Sequence, residues 1–255
     1  RQSGFRYHKN VSYQPIGKKL RGLSSESDAD HQELVEILDS YSKEVISFVD
    51  RFLTPYRDGY EIDYASFRPV EEAGRQMTLH KRNDLLHVDA FPNRPTRGGR
   101  ILRVFTNLNP EQPRVWNTTG NFEVLAEEYA EQAGLSTLAR RGESPLWKVV
   151  YGAASLPARL TGSKKRRPAP YDRFMHRFHN FLKGNGGFQS GCPKMTHAFP
   201  PGSCWLVYTD TVPHAVLSGR FALEQTFIVN LEAMVAPRRA PLNILERICG
   251  KKLAA

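Results

Sequence analysis

The chain has 255 residues, 40% of them hydrophobic and 24% charged, with a formal net charge of +10 and an isoelectric point near 9.6. That length and composition suit a globular fold with a sizeable core, and no run of about 18 uncharged apolar residues argues for a spanning helix. The positive balance favours an anionic partner, whether nucleic acid, a phosphate-rich substrate or a membrane surface.

Residues 1–26 are polar and basic and read as an arm or an edge segment. From Ser27, Leu34, Ile37, Leu38, Tyr41, Val45, Phe48, Val49 and Phe52 recur at three- and four-residue steps. This predicts an amphipathic helix, capped at Asp28 or Asp30 and bounded by Pro55. A short second helix or loop is expected to about Arg68. From about Thr78 the texture changes to short β-branched and aromatic runs at 101–109, 203–210 and 221–231, which read as strands. Residues 120–182 look helical again, with Phe122, Leu125, Tyr129 and Ala130, then Tyr171, Phe174 and Phe178, at helical spacing.

Cys192, Cys204 and Cys249 have no metal-binding spacing and read as inert thiols of a reducing compartment. The first residue is Arg rather than Met, compatible with a start inside a longer chain. "GSKKRRPAP", residues 162–170, places Lys164, Lys165, Arg166 and Arg167 in a row, just after Trp147, Val149, Val150 and Tyr151. Such a loop is either a solvated segment or a contact for anionic headgroups. No zinc, RRM-like or helix-turn-helix signature appears, so nucleic acid is not the expected partner despite the charge.

The densest chemistry lies in "RNDLLHVDAFPNRPTRGGRILRVFTNLNP", residues 82–110. On an extended chain His87 and Asp89 project to the same side and can reach one ion. A non-haem Fe(II) site needs two histidines and one carboxylate on one face, leaving the other open. Downstream, residues 199–230 run from a Pro-Gly turn through an apolar strand and a break at Asp210 to Pro-His and another strand. This layout resembles the distal-histidine hairpin of double-stranded β-helix oxygenases, which makes His214 the candidate third ligand. His197 ranks second, because it follows no predicted strand. His80 reads as a pocket or core residue, and His176 and His179 as surface or packing residues of an aromatic helix.

An oxygenase of this fold uses 2-oxoglutarate, whose far carboxylate needs a basic partner. The position about ten residues past the distal His, where many relatives carry Arg, holds Glu224 and Gln225 here. Arg103, fourteen residues after Asp89, is therefore the first candidate, and Arg220 the second.

"HVDAFPNRPTRGGRILRVFTNLNP", with "HAVLSGRFALEQTF" downstream, is similar to the Kdo hydroxylase family. The resemblance is strongest over residues 78–120 and 196–232. It implies Fe(II)- and 2-oxoglutarate-dependent hydroxylation at C3 of 3-deoxy-D-manno-oct-2-ulosonic acid (Kdo) on lipopolysaccharide. The expected partners are Kdo-lipid A and an anionic membrane, met from the cytosolic face of the inner membrane. Arg94, Arg97 and Arg100, with Arg82, would rim the site and meet the anionic sugar, and Gly98 and Gly99 would allow close approach. The expected fold is mixed α+β, a double-stranded β-helix (jelly-roll, cupin-like) core with an N-terminal helical segment and a helical insertion between core strands. One catalytic domain would span 1–255: an arm and helices to about 70, the core over 71–235 with its insertion at about 120–195, and a C-terminal tail over 236–255. The alternatives are a protein or nucleic-acid hydroxylase and a non-catalytic cupin-like sugar-binding module.

Overall fold

The computed structural model describes residues 10–22, 28–143 and 167–254. Its strands form two antiparallel sheets. The larger runs β2 (Lys19–Arg21), β1 (Val11–Gln14), β3 (Tyr60–Arg68), β9 (Ala222–Val229), β4 (Arg100–Asn107) and β7 (Cys204–Tyr208). The smaller runs β6 (Met195–Phe199), β5 (Arg114–Thr118) and β8 (His214–Ser218). Beyond β8, His87 pairs with His214 through two backbone hydrogen bonds of 3.1 and 2.9 Å, so the His87 segment flanks the smaller sheet.

Helix α1 (Asp28–Phe52) covers the outer face of the larger sheet. Side chains of a strand alternate between faces. Leu102 and Val104 of β4, with Phe227 and Val229 of β9, therefore pack with Val45 and Val49 of α1. Arg103 and Phe105 of β4 turn the other way, toward the smaller sheet. There Phe105 meets Trp116 and Trp205 at centroid distances of 4.9 and 5.4 Å and fills one end of the space between the sheets.

Between β5 and β6 the chain forms α2 (Phe122–Tyr129), α3 (Leu135–Glu143), α4 (Pro170–Gly184) and α5 (Gly186–Gly191). These helices and α6 (Pro241–Cys249) enclose a second core that also takes in Leu86, Val88 and Ala215. Leu86 and Val88 face this helical core, and the intervening His87 and the following Asp89 face the space between the sheets. The period of two that brings His and Asp together thus also anchors them from behind.

Three expectations are corrected. The stretch to Arg68 begins with the expected short helix, a single turn at Thr54–Tyr56, but from Tyr60 it is β3, a central strand between β1 and β9 with an irregularity between Ile62 and Ala65. The N-terminal arm includes β1, whose Val11 and Tyr13 are fully buried, so of the two arm strands β2 alone lies at a sheet edge. The C-terminal tail carries α6, which buries Leu242, Ile244 and Leu245. Among the described residues no helix is long and apolar enough to cross a membrane.

Candidate metal centre

His87 and Asp89 are held by backbone contacts on both flanks. Leu86 exchanges two hydrogen bonds with the Gln189 side chain of α5, at 3.0 and 2.9 Å, and the Asp89 amide donates to the Thr209 carbonyl at 2.8 Å. His214 opens β8 directly after Pro213. The three expected ligands are neighbours, with His87 Nε2 3.7 Å from Asp89 Oδ1 and the His87 and His214 rings 4.7 Å apart, although His214 is not in the group of donor atoms that converge within 4.8 Å. Trp116 stacks on the His214 ring at 5.2 Å and limits its rotation.

A further histidine belongs to this cluster. The donor atoms of His87, Asp89 and His179 lie within 4.8 Å of one another, and the His87 and His179 rings meet edge to face at 4.8 Å. His179 is therefore not the surface or packing residue expected from the sequence. Its neighbours at helical spacing explain the placement. Asp172, Met175, His179 and Lys183 form one stripe of α4 that runs along the ligand-bearing segment. Lys183 Nζ donates to the His80 carbonyl at 3.2 Å, His179 Nδ1 meets the Val88 carbonyl at 2.7 Å, and Asp172 accepts the Thr96 and Arg97 amides at 2.7 and 3.0 Å. That spacing was visible in the sequence, but what the stripe would face was not.

The three imidazoles share one tautomer. Nδ1 of His87, His214 and His179 each lies against a backbone carbonyl, of Leu85, Val212 and Val88, at 2.7, 2.9 and 2.7 Å. A carbonyl only accepts, so Nδ1 carries the hydrogen and Nε2 keeps a bare lone pair. Burial pushes the pKa of His87 well below its ordinary value, helped by His214, His179 and Lys183, and burial lowers His214 as well. Burial alone would raise Asp89, but Arg103, His214 and His87 outweigh it and hold the carboxyl below its ordinary range. Neutral imidazoles beside an ionised carboxylate are the protonation states a metal ion requires. Asp89 Oδ2 is buried without a hydrogen-bond partner. The donor set, with Asp89 Oδ2 met by the Arg103 guanidinium at 3.3 Å rather than by a hydrogen bond, fits an Fe(II) centre of two histidines and one carboxylate.

The cluster opens into a cavity of about 790 Å³. Its cations are Arg68, Arg75, Lys81, Arg103, Arg114 and Lys183. Arg103 is divided between Asp89 and Glu224, at 3.3 and 3.2 Å. Arg68 is bound to Glu224, with Nε at 3.0 Å from Oε2. Burial would raise the Glu224 carboxyl, yet Arg103 and Arg68 bring its pKa down to about 2. Arg114 on β5 is fully buried and donates through Nη1 to the Gly219 carbonyl at 2.8 Å, while its Nε and Nη2 have no hydrogen-bond partner and Nη2 stands 3.8 Å from Glu72. Burial, then Arg68, lowers its pKa to about 10, so it remains charged near neutrality.

The arginine rim expected beside the iron is not there. Arg94 pairs with Asp63 and lies 4.0 Å over the Phe91 ring, lining a separate depression. Arg97 is exposed, its Nε directed at the Arg167 carbonyl at 3.3 Å. Arg100 is buried against Asp210 at 2.9 Å, with its guanidinium 4.1 Å over Tyr208. Arg82 pairs with Asp84 at 2.6 Å. Arg82 is held by its chain neighbour Asp84, and the other three by a carboxylate or carbonyl that only the fold brings near. Gly98 has a φ of +96°, and a Cβ there would stand 2.5 Å from Leu242, so this glycine serves the packing of α6 rather than a ligand. Arg220 is exposed over Phe221 and does not line the cavity. His197 lies within β6 and meets Thr118 Oγ1 at 2.9 Å, away from the cluster. His80 lines the cavity at its exposed side. Lys164, Lys165 and Arg166, with Trp147 to Tyr151, lie outside the described residues.

The profile of the 3-deoxy-D-manno-oct-2-ulosonic acid (Kdo) hydroxylase family matches residues 2–252. The chain belongs to the Kdo hydroxylase family. No curated protein matches it. Among solved structures it is similar to the Kdo hydroxylase KdoO, a non-heme Fe(II) alphaketoglutarate dependent dioxygenase. The KdoO complex with alphaketoglutarate and Fe(III) is 34% identical, with a TM-score of 0.83 over 98% of this chain and 80% of that one. The cobalt(II) complex gives 34%, 0.84, 99% and 80%, and the apo structure 34%, 0.83, 98% and 80%. Family membership and the candidate ligand group thus rest on independent observations, one from the whole chain and one from a few side chains.

Proposed function

We propose that this protein is an Fe(II)- and 2-oxoglutarate-dependent dioxygenase that hydroxylates C3 of the Kdo sugar of lipopolysaccharide, giving the 3-hydroxylated sugar, succinate and CO2. The observation that carries the reading is the cluster of bare Nε2 atoms and an ionised carboxylate opening on a cationic cavity, in a chain of this family. The two antiparallel sheets, with the His87 segment beside β8, support a double-stranded β-helix core in one catalytic domain.

His87, Asp89 and His214 would hold the iron, their protonation states preset by the carbonyls and by Arg103. Bound iron and oxoacid would let dioxygen act as the oxidant, one oxygen atom entering succinate and the other turning the C–H bond into C–OH. The protein contributes position and dryness. Trp116 fixes the His214 ring, and Phe105 with Trp116 presents an apolar wall that excludes water from the reacting centre. For the far carboxylate of 2-oxoglutarate, Arg114 is favoured over Arg103, because its Nε and Nη2 make no hydrogen bond, with Glu72 3.8 Å from Nη2, and can form a bidentate pair. The excess positive charge suits a sugar acid on a phosphate-bearing lipid, and it favours this substrate over a protein.

The decisive assay incubates the purified protein with Fe(II), ascorbate, 2-oxoglutarate and Kdo-bearing lipid A. A mass gain of one oxygen on the Kdo, matched by succinate, is expected; succinate without oxygen transfer to the sugar would count against it. Peripheral contact with the cytosolic face of the inner membrane is part of the same proposal, supported by the Lys164–Arg167 run. Replacing those four residues with Gln should weaken sedimentation with anionic vesicles, as should high salt, without loss of activity on a soluble Kdo glycoside. Unchanged sedimentation would remove the membrane contact.

A further inference from the structure

The name of the sugar acid carries a geometric constraint. C1 is the acid, C2 the anomeric carbon and C3 the deoxy position, so the carbon that reacts lies two bonds from the carboxylate carbon. A C3–H bond presented to the metal therefore brings a full negative charge into the innermost part of the cavity. A cation has to meet it there, and most cavity cations are engaged elsewhere. Arg68 and Arg103 are paired with Glu224 and Asp89. Arg75 stands 3.6 Å from Glu72, and Lys81 is exposed at the rim. Arg114 is the group suited to the oxoacid.

Lys183 differs from all of these. It lines the same cavity one helical turn from His179, is only 4% exposed, and its Nζ donates to the His80 carbonyl at 3.2 Å. Among the described residues no carboxylate pairs with it directly; Asp89 and Asp84 act on it only at longer range. An ammonium has three donors, and a buried one without a counter-ion is costly. Burial accordingly brings its pKa down to about 8. A structural lysine whose task was to hold the His80 loop would not need to be this buried beside His87 and His179.

We propose that Lys183 receives the C1 carboxylate of the sugar and thereby selects a 2-ulosonic acid over a neutral sugar. The inference rests on the Kdo reading above. The ion pair would form only when substrate is present, so it adds to binding and orients C3 toward the metal.

The test compares the methyl glycoside of Kdo with its neutral C1 carboxamide, titrated into protein loaded with Co(II) and 2-oxoglutarate. Wild-type protein should prefer the acid by about 10- to 100-fold, the range for a hydrogen bond to a charged group. Lys183→Met and Lys183→Gln should bind acid and amide almost equally, with Co(II) and 2-oxoglutarate affinities unchanged. The Gln variant can still donate to the His80 carbonyl, so it separates charge from support of the loop. Variants that lose acid and amide affinity in equal proportion, or that keep the wild-type preference, would overturn the proposal. Wild-type protein that binds neither glycoside would overturn the Kdo reading itself, whereas equal binding of both by wild type overturns only the role of Lys183.

Discussion

An imidazole can bind a metal ion only through a bare nitrogen, and here three backbone carbonyls decide which nitrogen that is. His87→Ala and His214→Ala should each abolish high-affinity Co(II) binding, followed by visible absorption, and with it turnover. His179→Ala should weaken it by about tenfold, the scale of an outer-sphere partner. Near-normal affinity in His214→Ala with severe loss in His179→Ala would reassign the third ligand to α4. The arginines separate in the same way. Arg114→Gln should weaken 2-oxoglutarate binding about 10- to 100-fold without changing Co(II) affinity, because a charge-assisted pair is lost and no metal ligand is touched. Arg103→Gln should act chiefly on the metal, since it leaves Asp89 and Glu224 buried with less compensation. An unchanged 2-oxoglutarate dissociation constant in Arg114→Gln would return the role to Arg103.

At the scale of elements, α4 matters as the splint of the ligand-bearing segment. Asp172 lies near its start and accepts three backbone amides, those of Ala169, Thr96 and Arg97, at 2.8, 2.7 and 3.0 Å. Asp172→Ala should cost about 3 kcal/mol or more in urea unfolding, because buried donors lose a charged acceptor. It should also loosen Co(II) binding, although Asp172 is not a ligand. A loss below about 0.5 kcal/mol would show that the stripe is not holding this segment. The helix itself was legible from its aromatic spacing. β3 was not, because "YEIDYASFR" mixes acidic and polar residues into a strand that lies between β1 and β9. Its place in the sheet depends on partners 158 residues away, as in the contact of Ser66 with Glu224, and such pairing leaves no local signature.

For the whole molecule, the buried Arg68–Glu224–Arg103 group joins β3, β9 and β4 across the larger sheet. Glu224 has a folded-state pKa of about 2 against an ordinary 4.5. A depressed carboxyl stabilises the fold fully above its unfolded pKa, and that contribution disappears as pH falls through the folded one. Urea midpoints of wild type and Glu224→Gln should therefore differ most above pH 4.5 and converge toward pH 2. A difference independent of pH would mean that Glu224 stabilises by packing rather than by charge. The same group explains why Glu224, standing where many oxygenases carry an oxoacid-binding arginine, is tolerated in the interior: two arginines neutralise it.

What the sequence determined by itself was local or periodic. The His-Val-Asp pair shares a face because strand side chains alternate, α1 follows from its apolar stripe, and the Pro-His before an apolar run marked His214. The family resemblance rested on the same stretches. Tertiary structure alone decided which charges face the cavity. Arg94, Arg97 and Arg100 follow His87 closely in the chain, yet Asp63, the Arg167 carbonyl and Asp210 hold them elsewhere. Arg114, His179 and Lys183 arrive from β5 and α4 with no spacing that relates them to the motif. Side-chain direction on a strand or helix can be read from a sequence, but the surface it meets depends on which distant element packs there. A buried charge is placed by its nearest counter-charge in space, a neighbour that chain distance does not reveal.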